Sequence, residues 1–351
     1  MSNNAFYPGR EWLDTEGKPI HAHGGSVLYY EGVYYWYGEN KEKTDGKNGI
    51  WHWGVRCYSS TDLYNWKDEG LIIPPDLEHE DSPLHPTAWL DRPHILFNKM
   101  TGKFVCWLKI QEKDGRQTET VLTADRILGP YTIVCTGLMP LGMNAGDFDL
   151  ATDENGKAYY FFDRVHSELI CAELTEDYTD VNGVFSRHFP RSQPPYVREG
   201  ITHFARKGLH YLISSGTTGY LPNPSELAVS ENWHGPYRLL GDPHPGDESR
   251  TSFHSQISCV FKVEGADDLY IAMADRWVPE RMDLRYADYA EWFRIRFSPN
   301  PTAEELAKAE ELSKRLPGDG DINTSRSRYV WLPIRFEGER AVIEWQDEWK
   351  I

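Results

Sequence analysis

The sequence predicts an all-β protein that folds as a five-bladed β-propeller. Five times along the chain, an apolar strand meets a turn signal and continues into an aromatic strand, which is the pattern of a β-hairpin. The turns recur along most of the chain, at Glu31-Gly32, Thr101-Gly102, Asn155-Gly156, Lys207-Gly208 and Gly265-Ala266. A shorter polar and aromatic segment follows most of the hairpins. A hairpin with one or two outer strands makes one propeller blade.

The hairpins and their outer segments can be paired in chain order. The hairpins are "GGSVLYYEGVYYWYG", "RPHILFNKMTGKFVCWL", "FDLATDENGKAYYFF", "GITHFARKGLHYLIS" and "SCVFKVEGADDLYIAMA". The outer segments are "CYSSTDLYNWKDEG", "VLTADRILGPYT", "CAELTEDYTDVNG" and "LAVSENWHGPYRLL", and "AVIEWQDEWKI" could supply the last. A β-sandwich lacks this long period, and a doubly wound sheet needs a helix after each strand. The repeats therefore favour a propeller.

One stretch, residues 278–326, interrupts the fifth repeat. It contains "TAEELAKAEELSKRL", which is helical by composition and by apolar spacing. We interpret it as a partly helical insertion in blade five of a single catalytic domain that spans residues 1–351. It would lie near the mouth of the propeller or at a subunit contact, where it could support a homo-oligomer, or it would be a surface decoration.

Charge and aromatic content restrict the partners. The 54 Asp and Glu residues outnumber the 37 Lys and Arg residues, and the formal net charge of −17 would repel nucleic acid and anionic membranes. The 13 Trp, 20 Tyr and 14 Phe residues suit β-strands, and they also suit sugar rings, whose apolar faces pack on aromatic faces. The charge therefore disfavours nucleic acid as a partner, and packing in the β core accounts for most of the aromatic residues.

Cysteine usage and the N-terminus suggest the compartment. The five cysteines are scattered, with no C-x-x-C spacing, so we expect reduced core residues rather than zinc ligands or a disulfide framework. The N-terminal "MSNNAFYPGREWLD" has neither a basic n-region nor an apolar h-region. We therefore expect a cytoplasmic protein.

Polar residues stand at the start of each predicted inner strand, where they can point to a common axis. They are His23 with Gly24-Gly25, Asp91-Arg92, Asp147 with Asp149, Glu199-Gly200, and His254-Ser255-Gln256. Carboxylates on strands that should be buried are costly unless they are hydrogen-bonded or functional. Two carboxyl groups across a narrow mouth suit the hydrolysis of glycosides.

At this point the chain resembles glycoside hydrolase family 43, and within it the branch of exo-β-1,3-galactanases. The resemblance covers nearly the whole chain, with "IHAHGGSVLYYEGVYYWYGENK", "CYSSTDLYNWKDEG", "DRPHILFNKMTGKFV", "GDFDLATDENGKAYYFF", "REGITHFARKGLHYLISSGTTGYLPNP", "FHSQISCVF", "ADRW" and "SRYVWLPI" as matching stretches. It implies a five-bladed propeller glycosidase that inverts the anomeric configuration.

The resemblance also implies catalytic roles. Glu199 in "REG" would be the general acid, and Asp147 in "GDFD" would tune its pKa. Where most of the family carries a base Asp in blade one, this chain has His-Gly-Gly, as the galactanase branch does. There the glutamine of a blade-five "SQ", here Gln256, is implied to place or activate the water. Gln256 either takes an imidic form or orients the water while a carboxylate such as Asp91 or Glu39 accepts the proton.

The remaining predicted site residues would bind the sugar. Asp91 stands where the branch usually has Glu, and "WLKIQEKDGRQ" lacks an expected tyrosine, so both departures affect the substrate pocket. The other candidates are Glu39, His23, Thr217, Thr218, Tyr220, Asn223, Arg276, Trp277 and Arg328. No metal site and no required cofactor are predicted, although a structural Ca²⁺ near the axis, as in some family members, could use His254.

The leading functional hypothesis is an exo-acting, inverting hydrolase that releases terminal galactose from β-1,3-linked galacto-oligosaccharides or a related glycan. An α-L-arabinofuranosidase or a β-galactofuranosidase on the same scaffold is the alternative within the enzyme class. The missing base also motivates a propeller that binds sugar without cleaving it.

Overall fold

The computed structural model describes residues 3–318 and 321–351, and it confirms the five-bladed β-propeller. Each blade is an antiparallel four-stranded sheet. Blade one holds β1 (His23–Tyr30), β2 (Val33–Glu39), β3 (Val55–Ser60) and β4 (Lys67–Ile73). Blade two holds β5 (Trp89–Asn98), β6 (Lys103–Gln111), β7 (Gln117–Ala124) and β8 (Thr132–Leu138).

The other three blades repeat this order. Blade three holds β9 (Ala145–Thr152), β10 (Ala158–Arg164), β11 (Glu168–Leu174) and β12 (Val181–His188). Blade four holds β13 (Arg198–Arg206), β14 (Leu209–Gly216), β15 (Glu226–Ser230) and β16 (Arg238–Gly241). Blade five holds β17 (Gln256–Lys262), β18 (Tyr270–Arg276), β19 (Arg328–Glu337) and β20 (Arg340–Ile343). The first strand of each blade contacts its counterparts in the two neighbouring blades, so these strands form the inner ring.

The ring is closed between blade five and blade one. Phe6 forms a β-bridge with Trp349, and their rings stack with centroids 4.2 Å apart. Both belong to a buried aromatic cluster shared by blades one and five, which includes Trp36, Trp66 and Trp331. Burial of such large rings supplies much of the free energy that holds adjacent blades together.

The insertion in blade five contains two helices, α1 (Tyr286–Arg296) and α2 (Ala303–Ser313). The predicted helix is α2, and Thr302 caps its N-terminus by accepting a hydrogen bond from the backbone N–H of Glu305. Side chains of α1, including Tyr289 and Phe293, pack with Leu221 of the loop between β14 and β15. The insertion thus lies against the blade-four side of the mouth.

No helix among the described residues has the length and apolarity needed to cross a lipid bilayer. Within the same ranges, no three His, Cys, Asp or Glu side chains are grouped to hold a metal ion.

Gly25, near the start of β1, is required by close backbone packing. A Cβ at this position would overlap the Tyr37 carbonyl and lie 2.6 Å from the Cα of Gly38. Because backbone atoms cannot rotate away, we expect Gly25→Ala to lower the free energy of unfolding by about 1–3 kcal/mol, measured by thermal and urea denaturation. Gly246→Ala is the matched control, since its Cβ would have no neighbour within 4 Å. Equal stabilities of the two variants would contradict the expectation.

Candidate active site

Three inner strands carry the same irregularity at the mouth of the propeller. Pairing shifts after His23 in β1, after Asp91 in β5 and after Glu199 in β13. The next residue in each case has a left-handed backbone: Gly24 (φ 58°), Arg92 (φ 53°) and Gly200 (φ 55°). A bulge with a left-handed residue re-aims the neighbouring side chains. The repeated bulge therefore orients the residues at these three positions towards the propeller axis.

Asp147 of β9 is held as an anion by two cations. Its Oδ2 accepts hydrogen bonds from Arg92 Nη2 at 2.8 Å and from the backbone N–H of Gly200 at 3.1 Å, while Oδ1 accepts one from Lys109 Nζ at 2.8 Å. Burial alone would raise the pKa of this carboxyl, but Arg92 and Lys109 outweigh it and hold the pKa well below its usual range. Asp147 is accordingly ionised at neutral pH.

Glu199 of β13 has the opposite electrostatic situation. Burial of its carboxyl group, followed by repulsion from the Asp147 anion, raises the pKa of Glu199 to about 8, against the opposing effect of Lys109 and Arg92. The group is therefore protonated at neutral pH. A carboxylic acid that keeps its proton until a leaving group needs it is suited to general acid catalysis.

Gln256 of β17 converges on Glu199. Its Oε1 accepts hydrogen bonds from Arg92 Nη2 at 2.8 Å and from Trp277 Nε1 at 3.3 Å. Its Nε2 donates to Ser215 Oγ at 2.8 Å, and the Ser215 hydroxyl donates to the backbone carbonyl of Glu199 at 3.2 Å. Ser215 thus joins the predicted acid of blade four to the predicted water-placing residue of blade five.

The same contacts favour the ordinary amide form of Gln256. Arg92 and Trp277 can only donate, so the atom that they contact must be an accepting carbonyl oxygen. An imidic hydroxyl there would face two N–H groups. Of the two roles left open by the sequence, orientation of the water fits this geometry better.

Glu39 and Asp91 lie beside this centre, and each is paired with a lysine. Glu39 contacts Lys41 Nζ at 2.7 Å and accepts from the Arg92 backbone N–H at 3.1 Å. Burial raises the pKa of Glu39 to about 7, although Lys41 opposes the shift. Asp91 accepts from Trp51 Nε1 at 2.8 Å and lies 3.4 Å from Lys109 Nζ. These two carboxyl groups are the available proton acceptors.

Blade four and blade five provide one wall of the site. Trp277 and Tyr220 have ring centroids 5.3 Å apart. Together with Gln256 they line a narrow recess of about 10 Å³. Thr217 lies close enough to Glu199 for its hydroxyl to lower the carboxyl pKa slightly. These positions agree with the predicted sugar-binding wall.

Other predicted sugar-binding residues have structural partners instead. Asn223 is buried, with its amide bonded to both backbone groups of Gly216 and to the Thr218 hydroxyl. Thr218 donates in turn to the Leu221 carbonyl at 2.5 Å. Their side chains brace the rim loop of blade four, so their effect on substrate is indirect.

His23, Arg276 and Arg328, which were also predicted to bind the sugar, contact other parts of the protein instead. His23 is fully buried, bonded to Asp275 at 2.9 Å and stacked on Tyr329. The Arg276 guanidinium donates to the Phe253 carbonyl and lies against Trp345, while Arg328 donates to the Arg326 and Ser327 carbonyls. Arg276 and Arg328 pair with each other across β18 and β19, and their guanidinium groups are taken up by loop carbonyls. The structure does not bring them into the cluster.

A family model described as "Glycosyl hydrolases family 43" matches residues 18–255. The chain belongs to glycosyl hydrolase family 43. The cluster of Glu199, Asp147 and Gln256 is the candidate active site of this family-43 chain.

Individual relatives are similar to this chain over most of its length. A protein of Escherichia coli (strain K12) whose name provisionally calls it a beta-xylosidase is 29% identical over 322 residues, which is 85% of this chain and 50% of that protein. The solved structure of a family-43 β-1,3-galactosidase is 29% identical with a TM-score of 0.78, covering 99% of this chain and 64% of that one. A second β-1,3-galactosidase, solved with galactodeoxynojirimycin, is 26% identical with a TM-score of 0.76, covering 99% and 100%. The chain thus spans about half of the E. coli relative and 64% of the first β-1,3-galactosidase.

Sequence reasoning missed several residues of this family-43 site. Lys109 lies in the apolar interior of β6, and Asp163 is the next-to-last residue of β10; a charge on a buried strand is a signal that could have found both. The Asp163 carboxyl group packs against Gly146, and burial, followed by repulsion from the Asp147 anion, raises the pKa of Asp163 well above its usual value. Ser215 carried no such signal, because serine is common on strands near a rim.

The contacts of Gln256 predict the outcome of its removal. Gln256→Ala should lower kcat by about 10²–10³-fold, since the water loses the group that orients it. Ser215→Ala, which removes only one partner of the amide, should cost much less. Steady-state kinetics on an oligosaccharide substrate would measure both. A Gln256→Ala variant with unchanged kcat would exclude the residue from the reaction.

Proposed function

We propose that this family-43 enzyme is an exo-acting, inverting hydrolase that releases terminal galactose from β-1,3-linked galacto-oligosaccharides or a related glycan. The observation that carries the proposal is the pairing of a protonated Glu199 with an ionised Asp147, within a cluster that includes Gln256. The names of the two galactosidase structures support the choice of sugar. The aromatic rings of Tyr220 and Trp277 beside Gln256 support the binding of a sugar ring at this centre.

In this mechanism Glu199 donates its proton to the glycosidic oxygen as the bond to the anomeric carbon breaks. Gln256, held by Arg92 and Trp277, orients a water on the opposite face of the sugar. Asp91 or Glu39 accepts the proton of that water. Asp147 keeps the proton on Glu199 until transfer, because its charge disfavours a second anion nearby.

One observation favours a furanosidase as the second candidate. Asp91 is a methylene shorter than the glutamate expected there, and Trp51 and Lys109 both bind its carboxylate. A carboxylate held in this way would lie at a different position relative to a pyranose hydroxyl than the carboxylate of the expected glutamate. The alternatives are an α-L-arabinofuranosidase and a β-galactofuranosidase, and the name of the E. coli relative adds a β-xylosidase to the substrates that need testing.

The decisive experiment combines a substrate panel with the stereochemistry of the product. β-1,3-galactobiose and the aryl glycosides of galactose, arabinofuranose, galactofuranose and xylose would be compared by kcat/KM, and the first product anomer would be read by ¹H NMR. We expect α-galactose as the first product of β-1,3-galactobiose. Cleavage of arabinofuranosides without action on β-1,3-galactobiose would reject the proposal. If wild type and Glu199→Gln both bound a galactoside and neither released sugar, the protein would be a binding propeller.

A further inference from the structure

A continuous line of aromatic rings leads from the candidate active site to the rim of blade two. Trp277 lies 5.3 Å from Tyr220, Tyr220 lies 6.1 Å from Trp51, and Trp51 stacks on Trp89 at 5.1 Å with an interplanar angle of 22°. Trp89 ends the line and is 45% exposed. A large ring left open to solvent at the end of such a line requires an explanation.

Trp51 is fixed in place from several directions. Its Nε1 donates to Asp91 of the site, and Lys41 Nζ lies 4.8 Å from the ring centroid. Lys41 also donates to the Trp51 carbonyl at 2.9 Å, and the Trp51 backbone N–H donates to the Pro86 carbonyl at 2.7 Å. The last bond ties Trp51 to the segment that leads into Trp89. The two stacked rings therefore form a rigid surface joined to the active site through Asp91.

An open groove of about 700 Å³ continues outward from Trp89 across blade two. Its lining mixes polar and apolar surface, and it comprises residues 80–83, 87–89 and 110–116 together with Thr136 and Gly137. Four of the lining residues are acidic, namely Glu80, Asp81, Glu112 and Asp114, while only Lys113 and Arg116 are basic. An aromatic end with a polar, slightly acidic rim suits a neutral polyhydroxylated chain and disfavours an anionic one.

We propose that Trp89, supported by Trp51, is a stacking platform for the leaving-group side of the substrate, and that the groove takes the following sugars of a neutral glycan. This inference rests on the proposed exo-hydrolase function, and it deepens that function by assigning chain-length selectivity. The terminal sugar lies at the centre formed by Glu199 and Gln256, and the sugars beyond the scissile bond pass over Trp51 and Trp89. The enzyme consequently prefers oligosaccharides longer than a disaccharide.

The test compares kcat/KM across a length series for wild type, Trp89→Ala and Trp89→Phe. With β-1,3-galactobiose, -triose and -tetraose, Trp89→Ala should reduce kcat/KM on the two longer substrates by roughly 3- to 10-fold, the effect of one lost stacking contact. Its effect on β-1,3-galactobiose, which has a single sugar on the leaving-group side, should be smaller, and Trp89→Phe should restore most of the loss. Trp345→Ala is the matched control, because Trp345 is 37% exposed and lies outside the groove and the line of rings.

The outcomes separate this inference from the proposed function. Release of galactose with the same length dependence in wild type and Trp89→Ala overturns the platform and leaves the function standing. If another terminal sugar is released instead, the galactose assignment fails. The same length series, made from oligosaccharides of that sugar, then tests the platform. If nothing is cleaved, binding tests the platform. Wild type and Trp89→Ala would be titrated with the galacto-oligosaccharides while tryptophan fluorescence is measured, and equal quenching and equal affinity of the two proteins overturn the platform.

Discussion

Replacement of Glu199 by Gln is expected to lower kcat on β-1,3-galactobiose by about 10²–10⁴-fold, the usual contribution of a positioned general acid. The amide is close in shape to the acid but has no proton to give. The loss should be smaller on an aryl galactoside with a strongly acidic phenol, because that leaving group departs without protonation. KM should change little, since the sugar contacts remain.

The matched control for Glu199 lies in the same blade. Glu226 is partly exposed, its carboxylate is bound by Arg191 at 2.7 Å, and it lies outside the cluster of Glu199, Asp147 and Gln256. Glu226→Gln should keep most of the activity. Comparable losses in the two variants, or a Glu199→Gln loss that does not depend on the leaving group, would remove Glu199 from the role of acid.

Replacement of Asp147 by Asn is expected to lower kcat/KM by about 10²-fold or more and to move the alkaline limb of the pH profile downward. Wild-type activity should fall as pH rises through about 8, where Glu199 loses its proton. Without the Asp147 anion, the pKa of Glu199 falls, since an opposing negative charge is lost while Arg92 and Lys109 remain. The variant therefore loses its acid at a lower pH than wild type.

Asp149 provides the control for Asp147. It lies on the same strand and is also buried, but it pairs with His94 at 2.8 Å and with the backbone N–H of His203. Asp149→Asn should reduce stability in a melting experiment and leave the alkaline limb near pH 8. An unchanged limb in Asp147→Asn would show that Asp147 does not tune the acid.

The architecture could be derived from the sequence because each blade is coded locally. Every predicted turn connects the first two strands of a blade, and the last outer strand, β20, lies within "AVIEWQDEWKI" as expected. Helix α1 escaped prediction because "YADYAEWFRIR" is rich in aromatic and branched residues, which are equally typical of strands. Its packing against the blade-four loop selects the helix, and that contact is long-range.

The site was only partly derivable. Glu199, Asp147 and Gln256 stand near the start of inner strands in successive blades, and the family resemblance assigned their roles; Ser215 and Arg92 link them in the structure. Arg276 was misplaced because its guanidinium donates to the Phe253 carbonyl, a contact between separate segments, and Arg328 because it donates to the carbonyls of Arg326 and Ser327. Lys109 adds a second cation beside Asp147, which the sequence analysis did not predict.

The sequence by itself determined the repeat, the fold, the family and the residue types that carry the chemistry. The tertiary structure decided which carboxyl group is protonated, because a pKa depends on burial and on charges brought together from different blades. It also decided the hydrogen-bond partners of Gln256 and the aromatic path to Trp89, since both arise from contacts between segments far apart in the chain.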